Sequence, residues 1–532
     1  MNKDLYDILD IIDAKLLADE NLSDEILAKA RNFTAQGGFI GLAQLNYRPG
    51  NLEYNAKKIA KYIRAAEAIG LDKIIFAKDA LLGICMDDFI QKFPFIVNES
   101  EKWLNALAKL AKNTVVILGI NSENYAILKS GTWAKTYADN EYKTCAVGAV
   151  DSISQEGCST VMNSDGTVLA RAKGFEEQLL IFNPEKKIGK IYSEPKICPF
   201  NEFSLDYDWD LERTYKCLVQ GIRDYFIKCG LKRAVIGLSG GLDSTVSAVL
   251  LVDALGKENV FGVSMPSKLT SSESKSDAEK LAQNLGIGFT ECSIKPMVET
   301  TNSCLDNLFK DAEGYWNCRY KKSFTQDNVQ ARSRAMYLWA LANEFESCIP
   351  IATSDKSESY MGYATINGDM SGGFAPIADV TKTKLFALAR WMNKNRSEKN
   401  VIPESIILKK PGAELAIDPN TGKTLNAEDA LMPYEFMDEI IWRIEYKKQS
   451  YEEILESKFV YETDHDISKA QKIEWLDKFY RRMAFAVYKW NILPPATIVE
   501  KSSINKAVYS QPICSGGINY KSVTAEYIES IL

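Results

Sequence analysis

Residues 234–250 read AVIGLSGGLDSTVSAVL: an apolar run with strand character, the turn Ser239-Gly240-Gly241-Leu242-Asp243-Ser244, and then a helical stretch. Two consecutive glycines let a backbone close around a ligand. The N–H groups that open the following helix, from Gly240, Gly241 and Leu242 onward, point out with the positive end of the helix dipole. Such a turn is a socket for pyrophosphate. The hydroxyls of Ser239 and Ser244 add donors, and Asp243 supplies a hard oxygen for the Mg²⁺ that accompanies phosphates. No Gly-Lys-Ser/Thr follows, so this is not a Walker A loop, and without GxGxxG it is not the dinucleotide fingerprint. The competing reading is a glycine-rich strand-to-helix turn with no ligand, against which the Ser/Asp/Ser decoration argues.

Working outward, the rest of the chain bounds what the loop can belong to. With 532 residues, 46% of them hydrophobic, more than one core can be buried, and two or three domains are expected. A net charge of −7 without long Lys/Arg runs argues against a nucleic-acid footprint. The first twenty residues are acidic and mixed, and no apolar stretch reaches membrane-spanning length, so neither a signal peptide nor a transmembrane helix is expected. The eleven cysteines are scattered and never form CxxC. Neither a disulfide framework nor a zinc site is suggested, and the expected compartment is the reducing cytoplasm. His465, the only histidine, stands between Asp464 and Asp466 in a polar stretch expected to be helical. It reads as a solvated surface residue, which removes Ser-His-Asp chemistry from consideration.

The fold class expected is α/β throughout. Residues 1–36 read as a helical N-terminal extension, with Leu5, Ile8, Leu9, Ile12 and Leu16 near helical spacing. Residues 37–190 alternate strand and helix: FIGLAQL, NAKKIAKYIRAAEAIG, KIIFA, SEKWLNALAKLAK, TVVILGI. After the linker NPEKKIGKIYSEPKICPF the alternation restarts over 191–532, with AVIGL, NVFGVSM, GFTECSI and IPIAT between helices. That pattern predicts a doubly wound parallel sheet with ligands at the carboxyl ends of its strands.

The loop resembles the SGGxDS turn of ATP pyrophosphatases, which split ATP between its α- and β-phosphates to adenylate a substrate. Beside it stand MPSKLTSSESKSDAEKLAQNLGI (265–287), TQDNVQARSR (325–334), ATSDKSESYMGYATINGDMSGGFAPIADVTKTKL (352–385) and KKPGAEL (409–415). Together these are similar to the synthetase domain of NAD⁺ synthetases, in the larger form that carries an N-terminal nitrilase-type glutaminase. The likeness covers residues 205 to about 500, with several motifs in order. GMP and asparagine synthetases share SGGLDS but not NVQARSR or GDMSGGFAP.

The resemblance implies a reaction and its residues. The nicotinate carboxylate of deamido-NAD⁺ attacks the α-phosphate of ATP, pyrophosphate departs, and ammonia then displaces AMP. Ser239, Gly240, Gly241, Leu242 and Ser244 would bind the ATP phosphates, with Thr353 on the rim where the nucleotide is expected. Asp243 and Glu358 fall on the family's metal positions, and Lys382 on its phosphate-contacting lysine. Asn328 and Arg332, four residues apart and hence on one helix face, would contact deamido-NAD⁺, with Asp369 a further substrate-side residue. Mg²⁺ is the implied metal and ATP the co-substrate. Two departures stand out: Thr353-Ser354-Asp355-Lys356-Ser357-Glu358 where relatives often have Thr-Gly-Asn-Lys-Ser-Glu, and Gly412 where a serine is common. The apolar residues of 335–345 (AMYLWALANEF) read more simply as core.

Nitrilase-type glutaminases use glutamate, lysine and cysteine as base, oxyanion partner and thiolate nucleophile. IGLAQLNYRPGNLEYNAKKI and VGAVDSISQEGCSTVMNSDGTVLARAKGFEEQLLIFN match the two ends of that fold. Lys78 stands where the glutamate belongs, and the stretch that should hold the lysine and the cysteine is skipped after LKSGTWAKTYADN. Cys145 and Cys158 read as ordinary small buried residues. The expectation is an ATP-dependent NAD⁺ synthase with a shortened, degenerate glutaminase domain, using ammonia directly or from a separate glutaminase. Competing readings are a glutamine-dependent enzyme acting through an unrecognised cysteine and a non-catalytic, nucleotide-binding regulatory subunit. The resemblance implies deamido-NAD⁺ sites built across a two-fold interface, and helix 327–345 carries Met336, Tyr337, Trp339 and Phe345 beyond what one core face needs, so at least a homodimer is expected.

Overall fold

The computed structural model describes residues 2–18, 20–83, 95–120, 125–136, 142, 144–194, 203–207, 210–267, 270–316, 325–409, 428, 431–500 and 503–504. The chain divides into two compact units, Met1–Pro195 and Lys196–Leu532.

In the first unit the helices Asn2–Leu17 and Asp24–Thr34 precede a mixed sheet, and Ser23 caps the second helix by accepting from the Ile26 amide. The strands are β1 (Ile40–Gln44), β2 (Lys73–Phe76), β3 (Val115–Gly119), β4 (Tyr125–Lys129), β5 (Thr132–Thr136), β6 (Val147–Val150), β7 (Ile153–Glu156), β8 (Thr160–Met162), β9 (Val168–Arg171) and β10 (Gln178–Phe182). Six of them form one sheet of order β10-β1-β2-β3-β4-β5, while β6-β7 and β8-β9 are hairpins. β1, β2 and β3 run parallel because the helices Leu52–Ile69 and Phe95–Ala108 return the chain between them; β10, β4 and β5 are antiparallel additions. Leu52–Ile69 begins at Asn51, whose side chain accepts from the Tyr54 amide, and ends at Gly70 in the left-handed conformation. The N-terminal helices lend Ile12, Leu16 and Ala30 to the same core as Ile59, Ile63 and Ile74, and so pack as part of this unit. The supposed linker is also partly bound here: Arg171 pairs with Lys190 and Tyr192 through backbone bonds, and Asn183 closes a turn with Ile188.

The second unit holds β11 (Arg233–Gly237), β12 (Val260–Ser264), β13 (Gly288–Glu291) and β14 (Cys348–Pro350), all parallel, in the order β13-β12-β11-β14. Helix Leu242–Leu255 packs on β11 and β12, and Ser272–Leu285 on β12 and β13. Val235 joins Leu338 and Ala342 in a cluster where helix Thr325–Glu344 covers the sheet. Beyond the sheet, the helices Tyr434–Trp442, Tyr451–Glu456 and Lys469–Trp490 enclose an aromatic core in which Phe436 stacks on Phe459 at 4.1 Å.

Three expectations need correcting. Within 335–345 only Ala335, Leu338 and Ala342 are fully buried, while Met336, Trp339 and Phe345 face solvent: a helix lying on one face of a sheet buries only one stripe. Cys145 is exposed and Cys158 half-buried, because both stand at the ends of short hairpin strands rather than in the sheet core. His465 is exposed, stacked on Tyr461, but it sits in a turn before helix Lys469–Trp490 rather than in a helix. Among the described residues, no helix is long and apolar enough to cross a membrane.

Candidate active site

The chain leaves β11 in one direction to β12 and β13 and later returns to lay β14 on β11's other side, so the strand order reverses between β11 and β14. In open parallel sheets that reversal opens a crevice at the carboxyl ends of the two strands. The loop 239–244 follows β11, and residues 351–358 follow β14. Sheet topology therefore brings the two motifs together.

Gly240 has φ +74°, and a Cβ there would lie 2.3 Å from the carbonyl oxygen of Ser274, so only glycine lets the loop settle on the start of helix Ser272–Leu285. The Ser239 and Ser244 hydroxyls lie 3.2 Å apart. Ser239 Oγ accepts from the Gly241 amide, and Ser244 Oγ donates to the Gly241 carbonyl. The two serines thus hold the loop's own shape as well as offering hydroxyls. Helix Leu242–Leu255 starts on Gly241 with no side-chain cap, leaving its first-turn N–H groups and dipole toward the crevice.

On the opposite wall, Thr353 and Ser354 lead into Asp355, which caps the short helix Lys356–Tyr360 by accepting from the Glu358 amide at 2.9 Å. That cap turns Asp355 and Glu358 to one side. Lys382, the first residue of helix Lys382–Asn395, meets them. Its Nζ lies 2.7 Å from Asp243 Oδ1, 2.5 Å from Asp355 Oδ2 and 3.0 Å from Glu358 Oε1. Tyr434 donates to Glu358 Oε1 at 3.1 Å and turns its ring toward the Lys382 ammonium.

Burial opposes charge on Lys382, yet Asp243, Asp355 and Glu358 outweigh it and hold the ammonium protonated well above the ordinary lysine range. Burial pushes the carboxyls of Asp243 and Asp355 up; Lys382 pulls them back and Glu358 adds to the rise. One oxygen from each of Asp243, Asp355 and Glu358 lies within 4.8 Å of the others. Three convergent hard oxygens, with a lysine ammonium as their counter-charge, fit a small divalent cation of the Mg²⁺ kind.

A second cluster lies further along the same segment. Thr365 donates its hydroxyl to Asn328 Oδ1 at 2.8 Å and its amide to Asp369 Oδ1 at 2.7 Å, while Arg332 Nε donates to the Ile366 carbonyl at 3.1 Å. Asn328, Arg332 and Asp369 therefore gather around residues 365–369, with Arg332 and Asp369 exposed. Helix Lys469–Trp490 secures the connecting stretch, where Lys489 Nζ bonds the carbonyls of Gly362 and Ala364, and Trp490 Nε1 that of Ser359. Of KKPGAEL, Lys409 bonds Ser274 Oγ at 2.5 Å, beside the glycine-rich loop; Gly412 lies outside the described residues.

The nucleotide-, metal- and dinucleotide-site residues expected from the sequence thus fall in two groups, one around Lys382 and one around residues 365–369. Sequence reasoning missed Asp355 and Tyr434. Asp355 had a usable signal, an Asx cap three residues before Glu358. Tyr434 had none, since nothing local ties it to residues 76 positions away.

A parallel sheet of this order, with a glycine-rich loop and a carboxylate–lysine cluster at its reversal point, defines a doubly wound α/β type of domain. Residues 214–482 match the NAD synthase family, and the chain belongs to that family. It is 37% identical over 343 residues to the glutamine-dependent NAD⁺ synthetase of Synechocystis sp., covering 64% of this chain and 56% of that one. With the Thermotoga maritima enzyme of the same description it is 39% identical over 319 residues, covering 56% and 53%. The chain thus spans about half the length of the curated relatives it matches. Among solved structures, the glutamine-dependent NAD⁺ synthetase of Cytophaga hutchinsonii superposes with TM-score 0.65 at 18% identity, over 90% of this chain and 98% of that one. The Acinetobacter baumannii enzyme, solved with ADP, gives 0.60 at 22% identity over 89% and 98%. At those identities the likeness is one of fold, and it extends over both units.

Proposed function

We propose that the chain is an ATP-dependent NAD⁺ synthase that amidates deamido-NAD⁺ through an adenylate and takes ammonia directly. The observation that carries this reading is the Lys382 ammonium set among Asp243, Asp355 and Glu358 beside the glycine-rich loop, in a chain of the NAD synthase family.

A carboxylate is a poor electrophile, so forming an amide from one needs a leaving group. The nicotinate carboxylate oxygen bonds to the α-phosphorus, the bond to the bridging oxygen breaks, and pyrophosphate leaves with that electron pair. Ammonia then adds to the acyl carbon, AMP departs, and protons are released to solvent. Negative charge grows on the leaving pyrophosphate, where the loop amides and the Lys382 ammonium lie. Because its neighbours keep it protonated, Lys382 acts as a fixed positive charge and not as a base. Asp243, Asp355 and Glu358 would hold Mg²⁺, which when bound supplies charge neutralisation at the phosphates. Ser239 and Ser244 keep the loop open around the phosphates, and Thr353 flanks it. Asn328, Arg332 and Asp369 present amide, guanidinium and carboxylate groups for the dinucleotide. Intact Asp243, Glu358 and Lys382 disfavour a purely regulatory subunit.

Direct use of ammonia is supported by the first unit. Lys78 is exposed in the turn after β2, where a base carboxylate is needed. Burial pushes the Cys158 thiol up to about 11, so at neutral pH it is a thiol and not a nucleophilic thiolate. Cys145 is exposed at the start of the hairpins, and Cys85 lies outside the described residues. A degenerate glutaminase domain retained for assembly, with a separate glutaminase as an optional partner, accounts for these features. The exposed Met336, Trp339 and Phe345 support a homodimer.

The test is the purified chain with ATP, Mg²⁺ and deamido-NAD⁺, given ammonium or glutamine in parallel. Expected is NAD⁺ with equal AMP and pyrophosphate from ammonium, and background rates from glutamine. No NAD⁺ from either donor overturns the synthase reading. Glutamine-driven synthesis as fast as with ammonium, abolished by substituting Cys85, Cys145 or Cys158, overturns the loss of glutaminase activity.

A further inference from the structure

Asp438 is 1% exposed, on helix Tyr434–Trp442, and among the described residues no lysine or arginine forms an ion pair with it. A carboxylate buried without a cation must be satisfied by hydrogen bonds, and here three donors supply them. Ser357 donates its hydroxyl to Oδ1; the Thr383 amide (2.9 Å) and hydroxyl (2.7 Å) donate to Oδ2. Ser357 Oγ in turn accepts the Lys382 amide at 2.8 Å. The bonds close a ring: Asp438 to Ser357, Ser357 to the Lys382 backbone, and Thr383 back to Asp438. Ser357 immediately precedes Glu358, and Thr383 immediately follows Lys382. The ring therefore pins the two backbone positions whose side chains meet at 3.0 Å in the carboxylate cluster. It also places a carboxylate at the start of helix Lys382–Asn395, where the dipole favours it. One turn earlier on the same face, Tyr434 touches Glu358.

We propose that Asp438 is a positioning residue for the proposed synthase reaction, acting through Ser357 and Thr383 to set Lys382 and Glu358 in register; this rests on the synthase reading above. Asp438 itself touches no group of the cluster. Its effect runs through backbone placement, to which catalytic geometry is sensitive at the 1 Å scale.

The experiment uses the full chain with Asp438→Ala, Asp438→Asn and Ser357→Ala. It reads steady-state kinetics with ammonium, thermal midpoint, and binding of Mn²⁺ in the presence of ADP by the non-turning-over protein. Expected for Asp438→Ala is a fall in kcat of about 30-fold or more, with KM for deamido-NAD⁺ within about twofold, because the ring does not reach Asn328, Arg332 or Asp369. Mn²⁺ affinity should fall about tenfold. Asn keeps an acceptor for Thr383 but offers Ser357 a donor, so Asp438→Asn should be intermediate. Ser357→Ala should reproduce the direction of both effects with a smaller fall in thermal midpoint than Asp438→Ala, since two of the three hydrogen bonds to Asp438 remain, which decides the matter if Asp438→Ala does not fold. Unchanged kcat and Mn²⁺ affinity in Ser357→Ala and Asp438→Asn overturn the proposal, as does a loss of activity that only follows the loss of thermal stability. If the unaltered chain makes no NAD⁺, the synthase reading fails, and the Mn²⁺ measurement still decides the positioning role.

Discussion

Asp243 and Lys382 are separated by 139 residues of sequence and by 2.7 Å in space, a charged contact that closes the crevice between the loop after β11 and the helix Lys382–Asn395. It is one of three carboxylate contacts to a lysine that is almost wholly buried. The contact ties the glycine-rich loop to the wall that carries Asp355 and Glu358, so that each partner's loss is felt by the other.

Replacing Lys382 with Met should remove the ammonium that pairs with all three carboxylates. Breaking a buried ion cluster from one side costs about 3–5 kcal/mol, so the thermal midpoint should fall in EDTA and recover in part when Mg²⁺ is added. Turnover should stay below about a hundredth of the parent's even with Mg²⁺ saturating, since a cation held by the carboxylates does not replace the lysine's own positive charge facing the leaving pyrophosphate. A midpoint that ignores Mg²⁺ would count against the carboxylates as a cation site. Asp243→Ala should likewise cost at least about a hundredfold in turnover with the fold retained; near-normal NAD⁺ formation by that variant would refute its assigned role.

Gly240→Ala tests the loop conformation separately from its charge. The left-handed φ costs a non-glycine residue about 1–2 kcal/mol, and the new Cβ meets the Ser274 carbonyl at 2.3 Å. The loop must shift away from helix Ser272–Leu285, so KM for ATP should rise at least about tenfold while KM for deamido-NAD⁺ holds. Parent-like ATP kinetics would show that the loop tolerates a side chain and is not closed on a ligand.

The first unit should carry a pH-dependent stability of its own. Burial pushes the Asp13 carboxyl up to about 7, with the Leu179 amide and Lys173 opposing and Asp10 and Glu176 adding to the rise. Between pH 4 and 7 the folded state binds this proton more tightly than the unfolded chain does. Stability should therefore fall as pH rises through that window and level off above it, by about 4 kcal/mol at most. Asp13→Asn keeps an acceptor for the Leu179 amide at Oδ1 and removes the titration. At pH 8 it should melt higher than the parent, with the gap closing toward pH 4. Equal melting at pH 8 would mean that the carboxylate finds water or a cation in solution.

Light scattering at micromolar concentration should give a dimer. A two-fold interface uses one patch twice, so Met336→Asp on the exposed stripe should shift the mass toward monomer. A fully active monomeric parent protein would refute the dimer.

Much of the second unit was readable from residue order, because its signals are local. The apolar runs of β11, β12 and β14 lie between helical stretches, and the conformation of loop 239–244 follows from its own glycines and serines over six residues. Resemblance supplied Glu358, Lys382, Asn328, Arg332 and Asp369 one by one, but not their arrangement. The arrangement depends on β14 being laid beside β11 after an excursion through β12 and β13, which joins segments whose spacing in sequence carries no shared period. The tertiary packing decided that Asp355 completes the cluster, that Tyr434 reaches Glu358 from a helix far downstream, and that Asp438 on the same helix bonds Ser357 and Thr383 beside it. In the same way, exposure at Cys145, Met336 and Trp339 was decided by which face each element turned to its core, since apolarity states only what burial would gain, and the packing partner determines what is buried.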